Sequence, residues 1–331
     1  AASDVYKRQL GFSACMALPG ALGLGIRQAL AETACGGTPE TSMVPFMVFD
    51  MAGGAALPAS FLVGKAGGPE DLLTSYDLLG WDPREPGSLN KSFGLPMSTK
   101  YSTLLAGILE NMSAEAQANL RMGSFCHFAQ DDVSANRMNA ASLTIAAGNR
   151  GLYIGNGMSV QRSTSGGNSR AVLEDVSLKP TFVGSIADVQ GATNFGGPGF
   201  KEYRSQDKTA LANGAVELSR IQKNKFLSLP GGEILAELSK CAYEKSLEFV
   251  EGVQGLDPRG DAQAQAVYNI NAGTPSSDTN VVAAALSMNT IKGMSGPSVW
   301  TLGGCDYHDS SQERGDGKDR EMGVEMGKAI E

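Results

Sequence analysis

The sequence predicts an α/β fold, a layered sandwich in which a mainly parallel sheet is flanked by helices. The first observation is that short apolar runs ending in glycine turns alternate with stretches of helical periodicity, as in parallel sheets with crossover helices. The second is the composition, because 42 of the 331 residues are glycine and 42% are hydrophobic. This composition favours a loop-rich α/β protein over a helical bundle. The length suffices for one large domain or two modest ones.

Four apolar runs are predicted as strands. VPFMVFDMAGG at 44–54 is a buried strand that enters a glycine turn, and PSVWTLGG at 297–304 has the same form. LRMGSFCHF at 120–128 and TFVGSI at 181–186 complete the set. Ligands of parallel sheets gather at the carboxyl ends of the strands, so the polar residues that follow these runs are candidates for a site.

Helical periodicity predicts the layers that cover the sheet. Helices are expected at 69–80, at 102–120 with a second start at Ser113, at 129–148 with a start near Asp132 or Ser134, at 207–253 with a division at Pro230, at 281–294 and at 320–331. Two segments rich in Gly, Ser, Asn and Asp, 155–200 and 255–280, are predicted as long surface loops.

The N-terminal residues are interpreted as processing signals rather than as part of the fold. Residues 1–9, which contain DVYKRQ, have the form of a sequencing-adapter artefact. Residues 10–31 are apolar and end in the small-residue cleavage pattern of an export signal, but they are too short and too glycine-rich for a stable membrane span. The remaining domain, 32–331, is therefore predicted to be exported to the bacterial periplasm or cell exterior, without a membrane span once the signal is removed.

Charge and cysteine content limit the partners. The net charge of −8, without any basic stripe, excludes nucleic acid as a partner. In an oxidising compartment one disulfide is possible, although its pairing is open and the spacing fits no zinc motif. The cysteines after the export signal are Cys35, Cys126, Cys241 and Cys305. The oligomeric state is open.

One of only two histidines, His308, lies in TLGGCDYHD directly after a predicted strand. Asp306 and His308 are separated by one residue and point to the same side in an extended chain. Carboxylate oxygens and imidazole nitrogens suit zinc, manganese or iron. Asp50 and the pair Cys126-His127 also follow predicted strands, so these groups are expected to converge at one edge of the sheet. For the Asp-x-His pattern alone, the alternative is a solvated surface loop.

Cys126 and His127 are the candidate catalytic pair. Neighbours in a strand point to opposite faces, but this restriction is lifted at a strand-to-helix turn. A cysteine at a helix N-terminus also gains thiolate character. The alternative is a buried cysteine beside a hydrogen-bonded histidine.

Several of these motifs together resemble one family. They are the export signal, the strand and Gly-Gly turn at 44–54, CHFAQDD, and TLGGCDYHD with the GDGKDREMGVEMGKAIE that follows it. The chain resembles, over most of 10–331, the exported bacterial family called domain of unknown function 1501, in the alkaline-phosphatase and sulfatase superfamily. TLGG-x-D-x-H is the most specific part, with Cys305 where the family commonly has an aromatic residue. The S-H-F-x-A-Q-D pattern appears with Cys126 in the Ser position and one residue fewer.

The resemblance implies an alkaline-phosphatase-like sandwich that is incomplete at its C-terminus. It also implies a divalent metal ion, zinc or manganese, held by loops at the carboxyl edge of the sheet, with Asp306 and His308 as ligands. Many members carry an aspartate after the first Gly-Gly turn, where this chain has alanines at 55–56. Asp50 would take its place as a ligand, and further Asp-His ligands are expected beyond Glu331.

Two functions follow from these patterns. The first is a metal-dependent hydrolase of phosphate or sulfate esters, acting on a small-molecule or polymer substrate. Cys126 or Ser124 would be its nucleophile, and His127 a ligand or proton donor. The second is a non-catalytic protein that keeps the scaffold and serves in surface assembly, secretion or polymer binding, since a fold does not fix a function.

Overall fold

A computed structural model describes most of the chain after residue 43. The described residues are 44–82, 84–85, 87–124, 140–160, 178–193, 207, 210, 213–214, 217, 221–223, 225–228, 252–253, 255–307 and 312–331. The predictions for the adapter artefact and the export signal therefore lie outside the described residues.

Strands and helices are interspersed along the described chain. The strands are β1 (Met47–Ala52), β2 (Gly64–Lys65), β3 (Gly68–Leu72), β4 (Leu89–Asn90), β5 (Met97–Ser98), β6 (Met158–Ser159), β7 (Thr181–Phe182) and β8 (Ser298–Gly303). The α-helices are α1 (Leu57–Ser60), α2 (Thr103–Asn111), α3 (Ala114–Asn119), α4 (Ala140–Ala146), α5 (Ile186–Ala192), α6 (Ala262–Tyr268), α7 (Thr279–Ile291) and α8 (Gln312–Ile330). Two 3₁₀ helices cover Thr74–Leu79 and Pro258–Gly260.

The main sheet has four strands in the order β1-β8-β6-β7, and every pairing in it is parallel. The longest pairing runs in register from Met47 opposite Ser298 to Ala52 opposite Gly303. Two small antiparallel sheets, β2-β3 and β4-β5, lie outside it. The predicted α/β class, with a mainly parallel sheet flanked by helices, is confirmed.

Helices α2 and α8 cover one face of the sheet, and their backbones are in direct contact. A Cβ atom on Gly323 of α8 would overlap the carbonyl oxygen of Leu104, and one on Gly107 of α2 would overlap that of Arg320. A Cβ atom on Gly327 would lie 2.6 Å from Ile108 O. These glycines allow the two helix backbones to approach more closely than larger residues would.

The residues of β1 and β8 that face these helices are apolar. Phe49, Met51, Trp300 and Leu302 pack against the cluster formed by α2, α8 and their neighbours, which includes Leu104, Leu105, Ile108, Phe93, Met97 and Met322. Side chains alternate between the faces of a strand. The intervening residues, Asp50 in β1 and Thr301 in β8, therefore lie on the opposite face.

Helix α7 is the most deeply buried helix of the described chain. Its residues from Val281 to Thr290 are all buried, as expected for a helix that is apolar on all sides. It begins at Asp278, whose carboxylate accepts a hydrogen bond from the N–H of Asn280 at 2.9 Å. A second core cluster forms around it, with Ile154, Met158, Val183, Val189, Leu256 and Tyr268.

The predictions for two helices and two strands are confirmed. The strands predicted at 44–54 and 297–304 are β1 and β8, and the helix predicted at 281–294 is α7. The residues 320–331 lie almost wholly in α8. Across 102–120 there are two helices, because Ser102 and Ser113 each accept a backbone N–H bond and begin a helix.

The single helix predicted at 69–80 is wrong. Its first part is strand β3, which pairs with β2, and its second part is the 3₁₀ helix Thr74–Leu79. The cause is tertiary packing, because Leu72 and Tyr76 are needed in a small cluster with Trp81. The strand predicted at 120–128 is also wrong where it is described, since residues 121–124 form no regular structure.

The two segments predicted as long surface loops contain regular structure. The first, 155–200, includes β6, β7 and α5, and the second, 255–280, includes a 3₁₀ helix and α6. Leu256 and Tyr268 of the second segment are buried in the core around α7. The predicted strand at 181–186 is shorter than expected, because α5 begins at Ile186.

Two other predicted helical regions, 129–148 and 207–253, are described only in part. The helix predicted at 129–148 is seen as α4, and the predicted start near Asp132 or Ser134 lies outside the described residues, as does the division at Pro230. Among the helices that the structure describes, none combines the length and the apolar character needed to cross a membrane.

Candidate functional site

The carboxyl ends of β1 and β8 form one edge, because the two strands are parallel neighbours. Their pairing continues beyond the strands, since Cys305 N–H donates to Ala52 O and Tyr307 N–H donates to Gly54 O, both at 3.2 Å. Gly53 allows this approach: its φ is +125°, and a Cβ atom there would lie 2.7 Å from Cys305 O. The strand that carries Asp50 and the strand that precedes Asp306 therefore end side by side.

Asp50 is held within β1, opposite Thr301. Its Oδ2 atom is buried and has no hydrogen-bond partner among the described residues, and the same is true of Thr301 Oγ1. Paired residues of neighbouring strands project from the same face of a sheet. Two polar atoms that need a partner therefore lie together, on the face opposite α2 and α8.

Asp306 is directed to that same face by its neighbour. Tyr307 packs against α8, since a Cβ atom on Gly315 would lie 2.6 Å from its ring. The backbone between Cys305 and Tyr307 continues the parallel pairing, so side chains alternate there as in a strand. Asp306 therefore lies on the side away from α8, the side on which Asp50 lies.

Ser124, the alternative nucleophile, is exposed in a segment without regular structure, whereas the other residues predicted for the site lie outside the described residues. They are Cys126, His127 and His308. Within the described part of the chain, no group of three or more His, Cys, Asp and Glu residues is arranged to hold a metal ion. The structure thus brings Asp50 and Asp306 to one edge and one face, while their roles as ligands stay a prediction.

A second polar cluster lies on the α8 side of the same edge, and the sequence analysis missed it. The Tyr307 hydroxyl lies 2.9 Å from Asp316 Oδ1 and 2.8 Å from Asp319 Oδ2. The Ser60 hydroxyl donates to the same Asp319 oxygen at 3.1 Å. Asp316 and Asp319 are three residues apart, a spacing that places them on one face of a helix, and this was the available signal.

The cluster contains a carboxyl group that holds its proton unusually well. Burial raises the pKa of Asp319 to about 6, the hydrogen bonds from Tyr307 and Ser60 lower it, and the negative charge of Asp316 raises it. Burial and the charge of Asp319 raise the pKa of the Tyr307 hydroxyl, which therefore stays protonated. A phenol has one hydrogen, so a proton on one of the carboxyls is needed to complete both contacts.

The Cys305 thiol is buried between these elements and stays protonated. Burial raises its pKa to about 12, and the negative charges of Asp319 and, to a smaller extent, Asp50 act in the same direction. Its Sγ lies 3.4 Å from Leu302 O, to which the thiol donates. A neutral buried thiol is a weak nucleophile and a weak ligand, so Cys305 is a packing residue here.

Asp319→Asn is expected to change how stability depends on pH. In the wild type the folded state binds the Asp319 proton more tightly than the unfolded state does, so stability falls as the pH rises from about 4 to about 7. A rise of the pKa from 3.8 to about 6 corresponds to about 3 kcal/mol. Asparagine keeps the shape without the charge. The unfolding free energy of the variant relative to wild type should therefore increase by that amount across this range.

Urea unfolding at about pH 4 and about pH 7 measures this difference directly. If the stabilities of the two proteins change in parallel with pH, the Asp319 carboxyl does not carry a tightly held proton.

Comparison of the chain with models of protein families, with curated proteins and with solved structures finds no match. The resemblance to the exported bacterial family therefore stays a prediction. A function is therefore inferred from the geometry of the edge formed by β1 and β8.

Proposed function

We propose that the protein is an exported, metal-dependent hydrolase of phosphate or sulfate esters with an alkaline-phosphatase-like arrangement. The observation that carries the proposal is the Asp50 carboxylate. It has a buried oxygen without a described partner, at the carboxyl edge of a parallel sheet and on the face to which Asp306 is turned. Ligands of open parallel sheets bind at such edges.

The side chains at this edge offer donor atoms of the kind that a divalent cation takes. A carboxylate oxygen that is removed from water without a hydrogen-bond donor is energetically costly, and a cation removes that cost. Asp50 and Asp306 supply oxygen ligands, which suit manganese and zinc. The Thr301 hydroxyl next to Asp50 also has a buried oxygen without a described partner. The sequence adds the imidazole of His308 two residues after Asp306.

A bound divalent cation would polarise the ester and lower the pKa of a nucleophile. The role of the protein's own backbone is to orient the metal ligands Asp50 and Asp306. Asp50 is fixed by the pairing of β1 with β8, and Asp306 by the backbone bonds that continue this pairing. Cys126 or Ser124 as nucleophile and His127 as proton donor are proposed from the sequence motif.

The second candidate is a non-catalytic scaffold protein in surface assembly, secretion or polymer binding. It is favoured by the departure at 55–56, where alanines replace the aspartate of many family members. Catalytic zinc sites have three protein ligands, so the two carboxylates described at this edge need additional ligands to form one.

Asp50→Asn tests the proposal. Metal-stripped wild type is expected to bind about one or two zinc or manganese ions per chain. At a metal concentration of about 100 times the Kd, binding should stabilise the fold by about 2.7 kcal/mol. Asp50→Asn should weaken binding by at least about tenfold, because an amide oxygen carries no charge, and should reduce hydrolysis of 4-nitrophenyl phosphate or sulfate in proportion.

The matched control is Asp71→Asn, which changes a surface carboxylate that is paired with Lys65 in the small β2-β3 sheet. It should leave metal binding unchanged. Calorimetry and thermal unfolding with and without metal provide the readouts. Wild type that neither binds metal nor gains stability from it would favour the scaffold protein.

A further inference from the structure

Tyr307 connects the segment after β8 with the turn after β1 and with helix α8. Its backbone N–H donates to Gly54 O in the turn after β1. Its ring lies against α8 at Gly315, where the absence of a side chain makes room for it. Its hydroxyl reaches Asp316 and Asp319 of the same helix.

The two glycines that end β8 and follow it do not by themselves determine the direction of the chain towards Tyr307. Gly303 and Gly304 precede Cys305, and Gly304 has a φ of +76°. A Cβ atom at either glycine would meet no neighbour within 4 Å, so neither glycine is there to allow a close contact. Glycine also has more backbone freedom than other residues. The direction of the chain after β8 is therefore set by the residues that follow these two glycines.

The hydroxyl contacts select one orientation of the segment. Because Tyr307 is directed to α8, its neighbour Asp306 is turned to the other face, where Asp50 lies. A ring without the hydroxyl would keep the contact with Gly315 but would lose its bonds to the two carboxyl groups.

We propose that Tyr307 is a positioning residue, which holds the segment after β8 so that Asp306 lies on the same face as Asp50. The inference rests on the proposed function, since Asp50 and Asp306 are its metal ligands. Tyr307 does not contact the cation itself. It acts through the backbone of Asp306, in the way that groups around a metal site orient the ligands.

Tyr307→Phe tests the inference, with Tyr76→Phe as the matched control. Tyr76 is a buried tyrosine in the cluster with Trp81, and its hydroxyl accepts a hydrogen bond from the N–H of Val63 at 2.8 Å. Each variant removes one hydrogen-bonded phenol oxygen, so a loss of stability common to both is expected. The two readouts are zinc affinity by calorimetry and amide hydrogen exchange of the metal-free protein.

Tyr307→Phe is expected to speed the exchange of the Cys305 and Tyr307 amides about tenfold, the effect of losing one net hydrogen bond. The amide of Ser298, bonded to Phe46 O at the start of β8, should exchange as in wild type. Zinc affinity should fall about ten- to a hundredfold, as for other groups that orient ligands. Tyr76→Phe should change neither the exchange of these amides nor the affinity.

Wild-type exchange of both amides in Tyr307→Phe, or equal effects of the two variants on zinc affinity, would overturn the inference. If wild type binds no zinc but Tyr307→Phe still speeds the exchange of the two amides, the proposed function fails while the positioning of the segment by Tyr307 is supported. Unchanged zinc affinity in a variant of a zinc-binding wild type would remove Tyr307 from the site.

Discussion

Gly323→Ala is expected to lower the free energy of unfolding by about 3 kcal/mol, the upper part of the range for overpacking a core. The added Cβ atom would overlap Leu104 O and lie 3.0 Å from Ile108 N. Both atoms belong to the backbone of α2, which cannot rotate away as a side chain can. The two helices would therefore have to separate, and the apolar contacts around Met322 would loosen.

Gly317→Ala is the matched control, because it lies in the same helix and its added Cβ atom would meet nothing within 4 Å. Replacing a solvent-exposed helical glycine by alanine should stabilise the fold by about 0.5–1 kcal/mol. Denaturant unfolding of both variants measures the two effects with opposite signs. If Gly323→Ala is as stable as Gly317→Ala, α2 and α8 do not touch at Gly323.

Gly157→Ala is expected to lower the free energy of unfolding by a similar amount, about 3 kcal/mol, for two reasons. Gly157 has a φ of +76°, and its added Cβ atom would overlap Pro297 O in the segment that enters β8. A non-glycine residue in the left-handed region costs about 1–2 kcal/mol, and the overlap with the backbone adds a cost of similar size. Since Gly157 O also accepts from Thr181 N–H, a shift there would disturb the pairing of β6 with β7.

Gly148→Ala separates the two costs. Gly148 has a φ of +95°, but a Cβ atom there would meet nothing within 4 Å. This variant should lose only the conformational part, about 1–2 kcal/mol. Equal losses in the two variants would show that Pro297 does not approach Gly157 as closely as described.

The sequence predicted the main pair of strands because both have a local signature. β1 and β8 are apolar runs that end in glycine turns, α8 is long enough to show helical periodicity, and α7 is an apolar run too long for a typical strand. β6 and β7 have two residues each, too few for any alternation to appear. Their places in the sheet are determined by contacts with residues far away in the chain.

The error in the segment 255–280 has a more local cause. The side chains of Asp257 and Asp261 accept backbone N–H bonds and begin the 3₁₀ helix and α6. Aspartate followed by a helix is a readable start signal, but the Gly and Asn content of the segment favours loops. The capping residues Asp257 and Asp261 therefore indicate the structure of this segment better than its composition does.

The candidate site was predictable to the extent that it follows from topology. Parallel strands end at one edge, so Asp50 and Asp306 were expected together there. The contact of Tyr307 with Asp316 and Asp319 was not predictable, because it depends on how α8 crosses the end of β8. Gly315, where the ring lies, has no signature that distinguishes it from the neighbouring Gly317 in the sequence.

The pairing of β1 with β8 has a consequence for the order of events during synthesis. β1 spans Met47–Ala52 and its partner spans Ser298–Gly303, so the longest pairing of the sheet joins nearly the first and the last described segments. The ribosome must extrude the chain at least as far as Gly303 before this pair can form completely. Topologies dominated by such distant contacts fold slowly. β1 therefore remains without its main partner until the segments between the two strands have been synthesised.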